Sequence, residues 1–456
     1  MSFPRADKPL RKEGVKMNRR LLGLVCLMTA VLLVLSAVPA LAIHTLVKSQ
    51  EWVATGDTVA NGVYAADVDG DGTVDILTIG TVHTGSGASA ATQAQLRIWN
   101  WNGLTLTLKK SKEFTLGDSP ATYPTEYGLG VFAGALDGDA DVEIVTVGYA
   151  VDTSNMNHDH LAIWTWDGTT LTRHIDLGRA SPATMRAVYG YDFDGTYMEI
   201  VTVGEDGSNG DVLVFNWSGG GTITGVDSKT WTGTSVAARS VYIENIKNTG
   251  SAKQILIGYS KGSGSSRYGH VLVYDFSNGA LSSALSDTQF QLSNGHSTEV
   301  FSVFADYFYG STTREVGACG SYDNSGSPFA GVQFLLWSSG TLGTAVKHTW
   351  QPSGTANECR GLFAADLTSS SGDEIVAAGY AVISGTENGE LHTFNYDGSS
   401  ISNQETSHWV TTSDTRAHGV FIKDVDADST KDILTVGQAK DSHGTLNAQL
   451  RIWHLS

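Results

Sequence analysis

The sequence predicts an all-β fold of seven similar units, and three observations lead to that prediction. The first is a repeat: an apolar run opening Val-Tyr, Val-Phe or Leu-Phe, then a turn, then a second apolar run ending in glycine. The copies, numbered 1 to 7 in chain order, begin at Val63, Val131, Val188, Val241, Val303, Leu362 and Val420. The second is composition, with 52 glycines and only 17% charged residues. The third is the spacing of 53 to 68 residues, which is typical of four-stranded propeller blades.

Each copy contains four runs with strand character. In copy 1 the predicted strands cover residues 63–68, 76–79, 95–101 and 104–114. The third run is rich in β-branched and aromatic residues and recurs in every copy, for example as HLAIWTW from His160. An Asn-Gly or Asp-Gly pair often follows it, which indicates a tight hairpin to the fourth strand.

The two ends of the repeat region predict how the seven units close. Copy 7 reaches only its third strand before Ser456, whereas residues 44–52 (HTLVKSQEW) match the fourth strand of copy 1 (LTLKKSKEF). We therefore predict that the N-terminal strand completes the last blade of a seven-bladed β-propeller, which removes two free sheet edges. An open solenoid is the alternative, but it would need capping units that the sequence does not show.

The N-terminal segment, residues 1–42, is predicted to be a secretory signal peptide. Arg19 and Arg20 precede an apolar stretch over 21–37, and Ala40-Leu41-Ala42 forms a small-x-small cleavage site. Met17 is an alternative start, and an uncleaved membrane anchor is an alternative fate of the segment. We expect residues 43–456 to form the propeller and the protein to be secreted or at the cell surface.

Net charge limits the partners. Residues 1–42 hold seven Lys/Arg and two Asp/Glu, so residues 43–456 carry 22 basic and 45 acidic residues, a net charge of −23. Nucleic acid and anionic lipid are therefore poor partners, and membrane contact is expected only through an uncleaved N-terminus. Cys319 and Cys359 could form a disulfide in an oxidising compartment or remain buried thiols, and the sequence leaves both open.

The turn between the first and second strands carries the most specific chemistry. In copy 1 its oxygen-bearing residues are Asp67, Asp69, Asp71, Thr73 and Asp75, and in copy 7 they are Asp424, Asp426, Asp428, Thr430 and Asp432. Carboxylates at alternate positions with no His or Cys favour a hard cation, and we predict structural Ca²⁺. Copy 2 is a weaker candidate with Asp137, Asp139, Asp141 and Glu143. Copy 3 retains Asp192, Asp194 and Glu199, copy 6 retains Asp366 and Glu374, and copies 4 and 5 have lost the acids.

These turns resemble the FG-GAP or VCBS-type repeats of the integrin α-chain N-terminal propeller. The words that carry the resemblance are ADVDGDGTVDI and KDVDADSTKDI, although Phe-Gly pairs are absent. The resemblance implies a seven-bladed propeller whose loops bind calcium on the face opposite the usual ligand surface. It also implies a role in cell adhesion.

Arginines mark the opposite end of the first strand. Arg186, Arg239 and Arg360 each lie two residues before a repeat start, and Arg416 lies four before one. Equivalent positions in a ring converge on its axis, so these side chains could form a basic mouth suited to carboxylates. The alternative is that each arginine pairs with a nearby acid.

No motif of a known catalytic type occurs in the sequence, which favours binding over catalysis. We therefore expect a calcium-binding module that recognises a glycan or an extracellular protein through its loop face. A lyase-like enzyme acting on polysaccharides and a structural surface subunit are the alternatives, since propellers host all three.

Overall fold

The computed structural model describes residues 43–84, 91–179, 182–248, 250, 252–293, 296–309, 313–324, 326–352, 356–368 and 372–455. The predicted signal peptide lies outside the described residues. Over the described part the chain is all-β, with two single-turn 3-10 helices at Leu116–Asp118 and Gly264–Ser266. Among these residues no helix has the length and apolar character needed to cross a membrane.

The strands follow the repeat copy by copy, after an N-terminal strand β1 (His44–Trp52). Copies 1 and 2 contain β2 (Thr58–Ala66), β3 (Asp75–Thr84), β4 (Ala91–Trp101), β5 (Leu106–Phe114), β6 (Thr125–Gly134), β7 (Glu143–Val151), β8 (Asn157–Trp166) and β9 (Leu171–Leu177). Copies 3 and 4 contain β10 (Ala183–Tyr191), β11 (Glu199–Asp206), β12 (Asn209–Trp217), β13 (Ile223–Trp231), β14 (Ala237–Glu244), β15 (Gln254–Lys261), β16 (Tyr268–Ser277), β17 (Ala280–Leu281) and β18 (Ser286–Phe290). Copies 5 to 7 contain β19 (Thr298–Asp306), β20 (Glu315–Asn324), β21 (Ser327–Ser338), β22 (Thr341–Trp350), β23 (Asn357–Ala365), β24 (Glu374–Ile383), β25 (Thr386–Tyr396), β26 (Ile401–Trp409), β27 (Thr415–Lys423), β28 (Asp432–Lys440) and β29 (Leu446–Leu455).

Each copy forms a four-stranded antiparallel meander, with the fourth position of copy 4 shared by β17 and β18. Within the described residues, one parallel pair, Thr92 with Thr125, links the sheets of copies 1 and 2. In copy 7 the fourth strand is β1, whose His44 lies opposite Leu455 and whose Trp52 lies opposite Ala448. This is the pairing that the match between the N-terminal strand and the fourth strand of copy 1 predicted.

A β-bulge interrupts the first pairing of every copy. In each copy the pairing register of the first and second strands shifts at one residue of the first strand. This residue lies two positions before the repeat start. The bulged residues are Asn61, Leu129, Arg186, Arg239, Phe301, Arg360 and His418. The first strand of copy 1 therefore begins at Thr58 and not at residue 63 as predicted. The bulge breaks the alternation on which the sequence-based boundary depended.

The core lies between neighbouring sheets. One apolar cluster joins copies 1 and 2 through Leu77, Leu96, Ile144 and Trp164. Further clusters repeat this arrangement around the described chain, including one that joins copies 7 and 1 through Trp52. Second and third strands are covered on both faces, which explains why they read as nearly continuous apolar runs.

Aromatic residues at the ends of fourth strands fasten neighbouring sheets. Trp52 Nε1 donates to Gln95 Oε1 at 2.9 Å, from the outer strand of copy 7 to the third strand of copy 1. Trp409 Nε1 repeats this contact with Gln449 Oε1 at 2.9 Å, from copy 6 to copy 7. A buried indole thus gains both apolar contact and a partner for its N–H.

A circle of seven aromatic rings joins the first strands. The rings belong to Tyr64, Phe132, Tyr189, Tyr242, Phe304, Phe363 and Phe421. Each ring contacts the next with centroids between 4.3 and 5.2 Å apart, and Phe421 contacts Tyr64 at 4.6 Å. The aromatic residue of the Val-Tyr and Val-Phe motif therefore packs against its equivalents in both neighbouring copies, and that of copy 7 meets that of copy 1.

The two cysteines of the described chain are free and buried, on β20 and β23. Burial, together with the neighbouring Cys319 thiol, raises the pKa of Cys359. Of the two states that the sequence left open, the structure contains the pair of buried thiols.

Candidate functional site

The acidic loop of copy 1 folds around its own carboxylates. Asp69 Oδ1 accepts from the amide of Asp71 at 3.2 Å, Asp67 Oδ2 from Gly72 at 2.9 Å, and Asp71 Oδ1 from Thr73 at 2.8 Å. Gly70 and Gly72 have positive φ values of 70° and 87°, which turn the backbone back on itself. As a result, one oxygen from each of Asp67, Asp69 and Asp71 lies within 4.8 Å of the others.

Two oxygens of this loop are buried and lack a hydrogen-bond partner. They are Asp67 Oδ1 and Asp75 Oδ2. Burial, reinforced by the charges of Asp69, Asp71 and Asp67, raises the pKa of Asp75 to about 7. Buried carboxylate oxygens normally have partners, so a cation placed beside these two oxygens would stabilise the loop. The donor set is all oxygen, and it fits a hard divalent cation.

The loop of copy 7 has the same geometry despite its different sequence. Asp426 Oδ1 accepts from the amide of Asp428 at 3.3 Å and Asp424 Oδ2 from Ser429 at 3.0 Å. Ser429 and Ala427 take the positive φ values of 73° and 60° that glycines supply in copy 1. Left-handed backbone costs a residue with a Cβ roughly 1 kcal/mol. Ala427 and Ser429 nevertheless both adopt this backbone conformation, at the places that Gly70 and Gly72 take in copy 1. The loop geometry is therefore strongly specified.

The loop of copy 7 also brings three carboxylates together, with Asp432 as the third acid where copy 1 uses Asp71. Oxygens of Asp424, Asp426 and Asp432 lie within 4.8 Å of one another, and Asp424 Oδ1 is buried without a partner. Burial, with the Asp426 charge, raises the pKa of Asp432 to about 6 against the opposing contact from His454. His454 Nε2 lies 2.7 Å from Asp432 Oδ1, so one oxygen of this carboxylate is already engaged.

Copy 2 also brings three acids together, although it lacks the first carboxylate. Oxygens of Asp137, Asp139 and Glu143 lie within 4.8 Å of one another. Asp141 is instead exposed, and its amide donates to Asp139 Oδ1 at 2.8 Å. Burial raises the pKa of Glu143 to about 7, and the charges of Asp137 and Asp139 act in the same direction. Hydrogen bonds from the backbone oppose this rise.

Copies 4 and 5 replace carboxylates with cationic and aromatic side chains of their own. The Lys247 ammonium donates to Asp275 Oδ2 at 2.5 Å and lies 5.7 Å from the Trp337 ring of copy 5. In copy 5 the Arg314 guanidinium lies 4.2 Å from the Tyr307 ring and pairs with Glu244. In copies 4 and 5 a lysine or arginine side chain therefore lies near the turn that carries the carboxylates in copies 1 and 7.

Each acidic loop also approaches the next copy. A Cβ built on Gly103 of copy 1 would lie 3.0 Å from Asp426 Oδ2 of copy 7. The same relation holds for Gly168 and Asp69 at 3.2 Å, and for Gly219 and Asp137 at 3.0 Å. The carboxylate at the third residue of each loop thus lies against a glycine of the following copy's hairpin, so a cation there would brace two sheets.

The second candidate site is a cavity of about 400 Å³ at the other end of the first strands. Its lining contains the bulged residue of every copy: Asn61, Leu129, Arg186, Arg239, Phe301, Arg360 and His418. Glu299 and Glu358 complete the lining. Bulges re-aim side chains, and here the seven bulges direct one side chain from each copy toward a common space. We refer to this space as the bulge cavity.

Ion pairs hold the arginines in place. Arg186 Nε lies 2.7 Å from Glu205 Oε1, Arg239 Nη1 lies 2.8 Å from Glu299 Oε2, and Arg360 Nη2 lies 2.6 Å from Glu358 Oε2. Arg267 also pairs with Glu299, at 2.5 Å. The predicted convergence and the alternative of local pairing therefore occur together, because each guanidinium uses only part of its donor set in these pairs.

An aromatic ring separates two of the arginines. The guanidinium carbons of Arg239 and Arg360 lie 4.8 and 5.1 Å from the Phe301 ring centroid. Burial, then the neighbouring Arg186 and Arg267 charges, lower the pKa of Arg239 against the effect of Glu299. Cationic groups are thus concentrated on the side of copies 3 to 6, whereas Asn61 and Leu129 line the other side.

Arg416 lies outside this lining, although the sequence grouped it with the other three. It is bonded to Glu387 and lies 4.5 Å from the Tyr380 ring. His418 holds the equivalent position in copy 7, since the bulge selects the residue two before the repeat start. Sequence analysis missed His418, Phe301, Asn61, Glu299 and Glu358. The constant offset from the repeat start would have identified the first three.

His418 is neutral and has a defined tautomer. Burial, then the Arg360 and Arg416 charges, lower the pKa of His418 to about 3. Its Nδ1 lies 3.3 Å from Asn61 Oδ1, and Asn61 Nδ2 donates to Gly128 O at 2.8 Å. Because the amide oxygen is then the acceptor, Nδ1 carries the proton and Nε2 keeps its lone pair.

Comparisons with known proteins give a fold-level likeness only. No protein-family model matches the chain, and no curated protein matches it. Among solved structures, the exotype rhamnogalacturonan lyase YesX is 10% identical, over 91% of this chain and 75% of that one, with a TM-score of 0.47. The polysaccharide lyase Uly1 is 7% identical over 90% and 100%, with a TM-score of 0.48, and Sqt1 from Chaetomium thermophilum is 10% identical over 91% and 100%, with a TM-score of 0.49. These values carry no argument about function, which has to come from the site itself.

Proposed function

We propose that residues 43–456 form a closed seven-bladed β-propeller of the FG-GAP or VCBS type. The circle of seven aromatic rings supports closure, because the ring of copy 7 contacts both its neighbour Phe363 and Tyr64 of copy 1. The fourth strand that β1 supplies to copy 7 supports it independently. Export by the N-terminal segment and a secreted or surface location belong to the same proposal.

Structural calcium in the loops of copies 1 and 7 is the second part of the proposal. Its support is the set of converging carboxylates with the partnerless buried oxygens Asp67 Oδ1 and Asp424 Oδ1. When bound, the ion would neutralise charges that otherwise repel one another within a single turn. Asp67, Asp69, Asp71 and Asp75 would hold it in copy 1, with Asp424, Asp426, Asp428 and Asp432 in copy 7. Thr73 and Thr430 would add a backbone oxygen.

The activity we propose is capture of a carboxylate-bearing glycan in the bulge cavity. One observation carries it: the bulges of copies 3, 4 and 6 bring Arg186, Arg239 and Arg360 into one cavity of a strongly acidic chain. Arginine binds carboxylates through two parallel N–H donors. Glu299, Glu358 and Asn61 supply acceptors and donors for hydroxyl groups, which a sugar presents and a simple anion does not.

A binding measurement with matched probes tests this function. Isothermal titration with galacturonic acid trimer should give saturable binding, and the methyl-esterified trimer should bind at least tenfold more weakly because its carboxylates are neutral. Arg186→Gln with Arg239→Gln should remove the binding. Arg314→Gln is the control, because it removes an arginine at the turn between the first and second strands, away from the bulge cavity. This variant should retain the binding. Equal binding of both trimers, or full binding by the double variant, would refute the proposal.

Lyase activity is a second candidate, and His418 is the observation in its favour. Elimination from a uronate breaks the C–H bond next to the carboxylate and the C–O bond to the leaving sugar, and a C=C bond forms. It needs cations on the carboxylate, a base that takes the C–H proton, and a proton for the oxygen of the leaving sugar, which the protonated base or water supplies. His418 lines the same cavity as the three arginines. Burial and the Arg360 and Arg416 charges hold its pKa at about 3, and a bound carboxylate would raise that pKa toward the range of a useful base. Ultraviolet absorbance of the unsaturated product, lost in His418→Gln, would establish the enzyme, whereas binding without product would leave a pure binding module.

A further inference from the structure

A second space adjoins the bulge cavity on the side of copies 4 to 6. It has a volume of about 300 Å³, and its lining includes Arg267 of copy 4 and Asp323 of copy 5. Glu299 and Glu358, which complete the lining of the bulge cavity, line this space as well. The two spaces therefore meet along these two carboxylates, and we refer to the second one as the side cavity.

Asp323 is held at the side cavity by the hairpin between the second and third strands of copy 5. Its amide donates to Ser297 O at 2.9 Å, which ties the end of β20 to the segment before β19. Its Oδ1 accepts from the amide of Gly326 at 2.7 Å, and the residue is exposed. A solvated carboxylate therefore lies in the lining, in a position that the backbone fixes.

Arg267, the arginine of the side cavity, is engaged by the protein itself. Its Nε lies 2.5 Å from Glu299 Oε1. Its Nη1 donates to Ser235 O and to Gly262 O, in both cases at 3.2 Å. Most of the hydrogen-bonding capacity of this guanidinium is therefore used before a ligand arrives.

The two spaces differ in the charge that they present to a ligand. Three arginines and two glutamates line the bulge cavity, which gives it a formal net charge of +1 while His418 is neutral. One arginine and three carboxylates line the side cavity, which gives it a formal net charge of −2. A ligand that extends from one space into the other therefore meets a positive lining at one residue and a negative lining at the next.

We propose that the side cavity takes a sugar residue that has no carboxylate, next to the uronate that the bulge cavity binds. This inference rests on the proposed glycan-binding function. A second uronate would face Glu299, Glu358 and Asp323 there, and like charges at close range repel one another. An uncharged sugar would instead donate its hydroxyl protons to these carboxylate oxygens. Each space lies near the lower end of the size range of small-ligand sites, which suits one sugar residue in each.

Matched disaccharides test the inference. The probes are digalacturonate and the two analogues in which one of its carboxyl groups is reduced to a primary alcohol. In isothermal titration we expect one analogue to bind about tenfold more tightly than digalacturonate, although it carries less charge. Asp323→Asn should strengthen digalacturonate binding and narrow that difference. Asp441→Asn removes the same charge from the equivalent hairpin of copy 7, outside both linings, and should leave the difference unchanged.

The outcomes separate this inference from the function on which it rests. If digalacturonate binds as tightly as both analogues, the side cavity tolerates a second carboxylate and the inference is overturned, while glycan binding stands. If none of the three disaccharides binds and the galacturonic acid trimer does not bind either, the proposed function fails first. Equal narrowing by Asp323→Asn and Asp441→Asn would assign the selectivity to overall charge, and this result would also overturn the role of the side cavity.

Discussion

At the residue scale, Asp67 lies at the centre of the charge that the loop of copy 1 gathers into one turn. One of its oxygens accepts the Gly72 amide, and the other is buried without a partner. Around it lie Asp69, Asp71 and Asp75, so the turn concentrates negative charge while its backbone keeps that charge in place. Such a turn is costly alone and stabilising once neutralised.

Replacement of Asp67 should therefore affect stability only when calcium is present. Calcium at a few hundred times its dissociation constant stabilises a site by roughly 3–4 kcal/mol. We expect Asp67→Asn to lose most of the calcium-induced gain in melting temperature, yet to melt near the parent in chelator because one repelling charge is gone. Differential scanning calorimetry measures both. Asp366→Asn, at the equivalent position in the acid-poor loop of copy 6, is the control, and an equal loss there would contradict a specific site.

His160 gives a prediction about pH. Burial alone would lower its pKa, but Glu126 and Asp176, each bonded to one ring nitrogen, raise the pKa of His160 to about 9. Because this exceeds the ordinary value of 6.5, the stabilisation is complete below pH 6.5 and is lost as pH rises through 9. We expect the free energy of unfolding to fall by on the order of 2 kcal/mol between pH 7 and 10.

The His160→Gln variant supplies the control for that measurement. It should be less stable than the parent at pH 7, and it should lose the part of the pH dependence that the imidazole supplies. Urea denaturation at a series of pH values gives the curves, with calcium held constant. Parallel curves for parent and variant would show that His160 stays in one protonation state over this range.

At the scale of elements, β1 shows how a strand far away in sequence completes a sheet. Its Trp52 packs on Trp99 with ring centroids 5.1 Å apart, lies under the Arg97 guanidinium at 5.0 Å, and donates to Gln95. These three partners belong to copy 1, whereas β1 itself pairs with β29 of copy 7. One strand therefore connects the first and last copies of the repeat.

Removal of the Trp52 side chain should strongly lower the stability of the fold. Trp52→Ala should lower the free energy of unfolding by about 3–5 kcal/mol, the usual cost of deleting a buried aromatic side chain. Leu46→Ala lies on the same strand with its side chain 41% exposed and should change stability by less than about 0.5 kcal/mol. Urea unfolding compares the two. A small effect at Trp52 would mean that β1 contributes little to the last sheet.

Elements also explain which parts of the molecule were predictable. The convergence of acids such as Asp67, Asp69 and Asp71 was predictable because these residues are close in sequence and fold locally. The β1 pairing was predictable because a strand was missing at one end and present at the other. The bulge cavity was only partly predictable, since it takes one residue from each copy. Arg416 was grouped with the other arginines because the bulge at His418 cannot be recognised from the pattern of apolar and polar residues.

At the scale of the whole molecule, the copies of the repeat differ in the charge that they place at the turn after the first strand. Copies 7 and 1 offer converging carboxylates, the groups for which we propose calcium, and their loops meet the hairpins of the next copies at Gly103 and Gly168. Copies 4 and 5 use Lys247 and Arg314, which are always available. Copies 7 and 1, for which we propose calcium, are also the copies that β1 connects, because β1 pairs with β29.

Calcium removal should therefore loosen the molecule unevenly. In hydrogen exchange followed by mass spectrometry, we expect chelator to speed exchange in the loops and hairpins of copies 7 and 1, including β1, because a cation there braces two sheets at once. Peptides from β15 and β20 should exchange at the same rate with and without calcium, since the Lys247–Asp275 and Arg314–Glu244 pairs are part of the chain. Lys247→Ala should reverse the pattern by speeding exchange near copy 4 whether or not calcium is present. Uniform acceleration in all seven copies would instead mean that the copies unfold as one cooperative unit whose global stability depends on calcium.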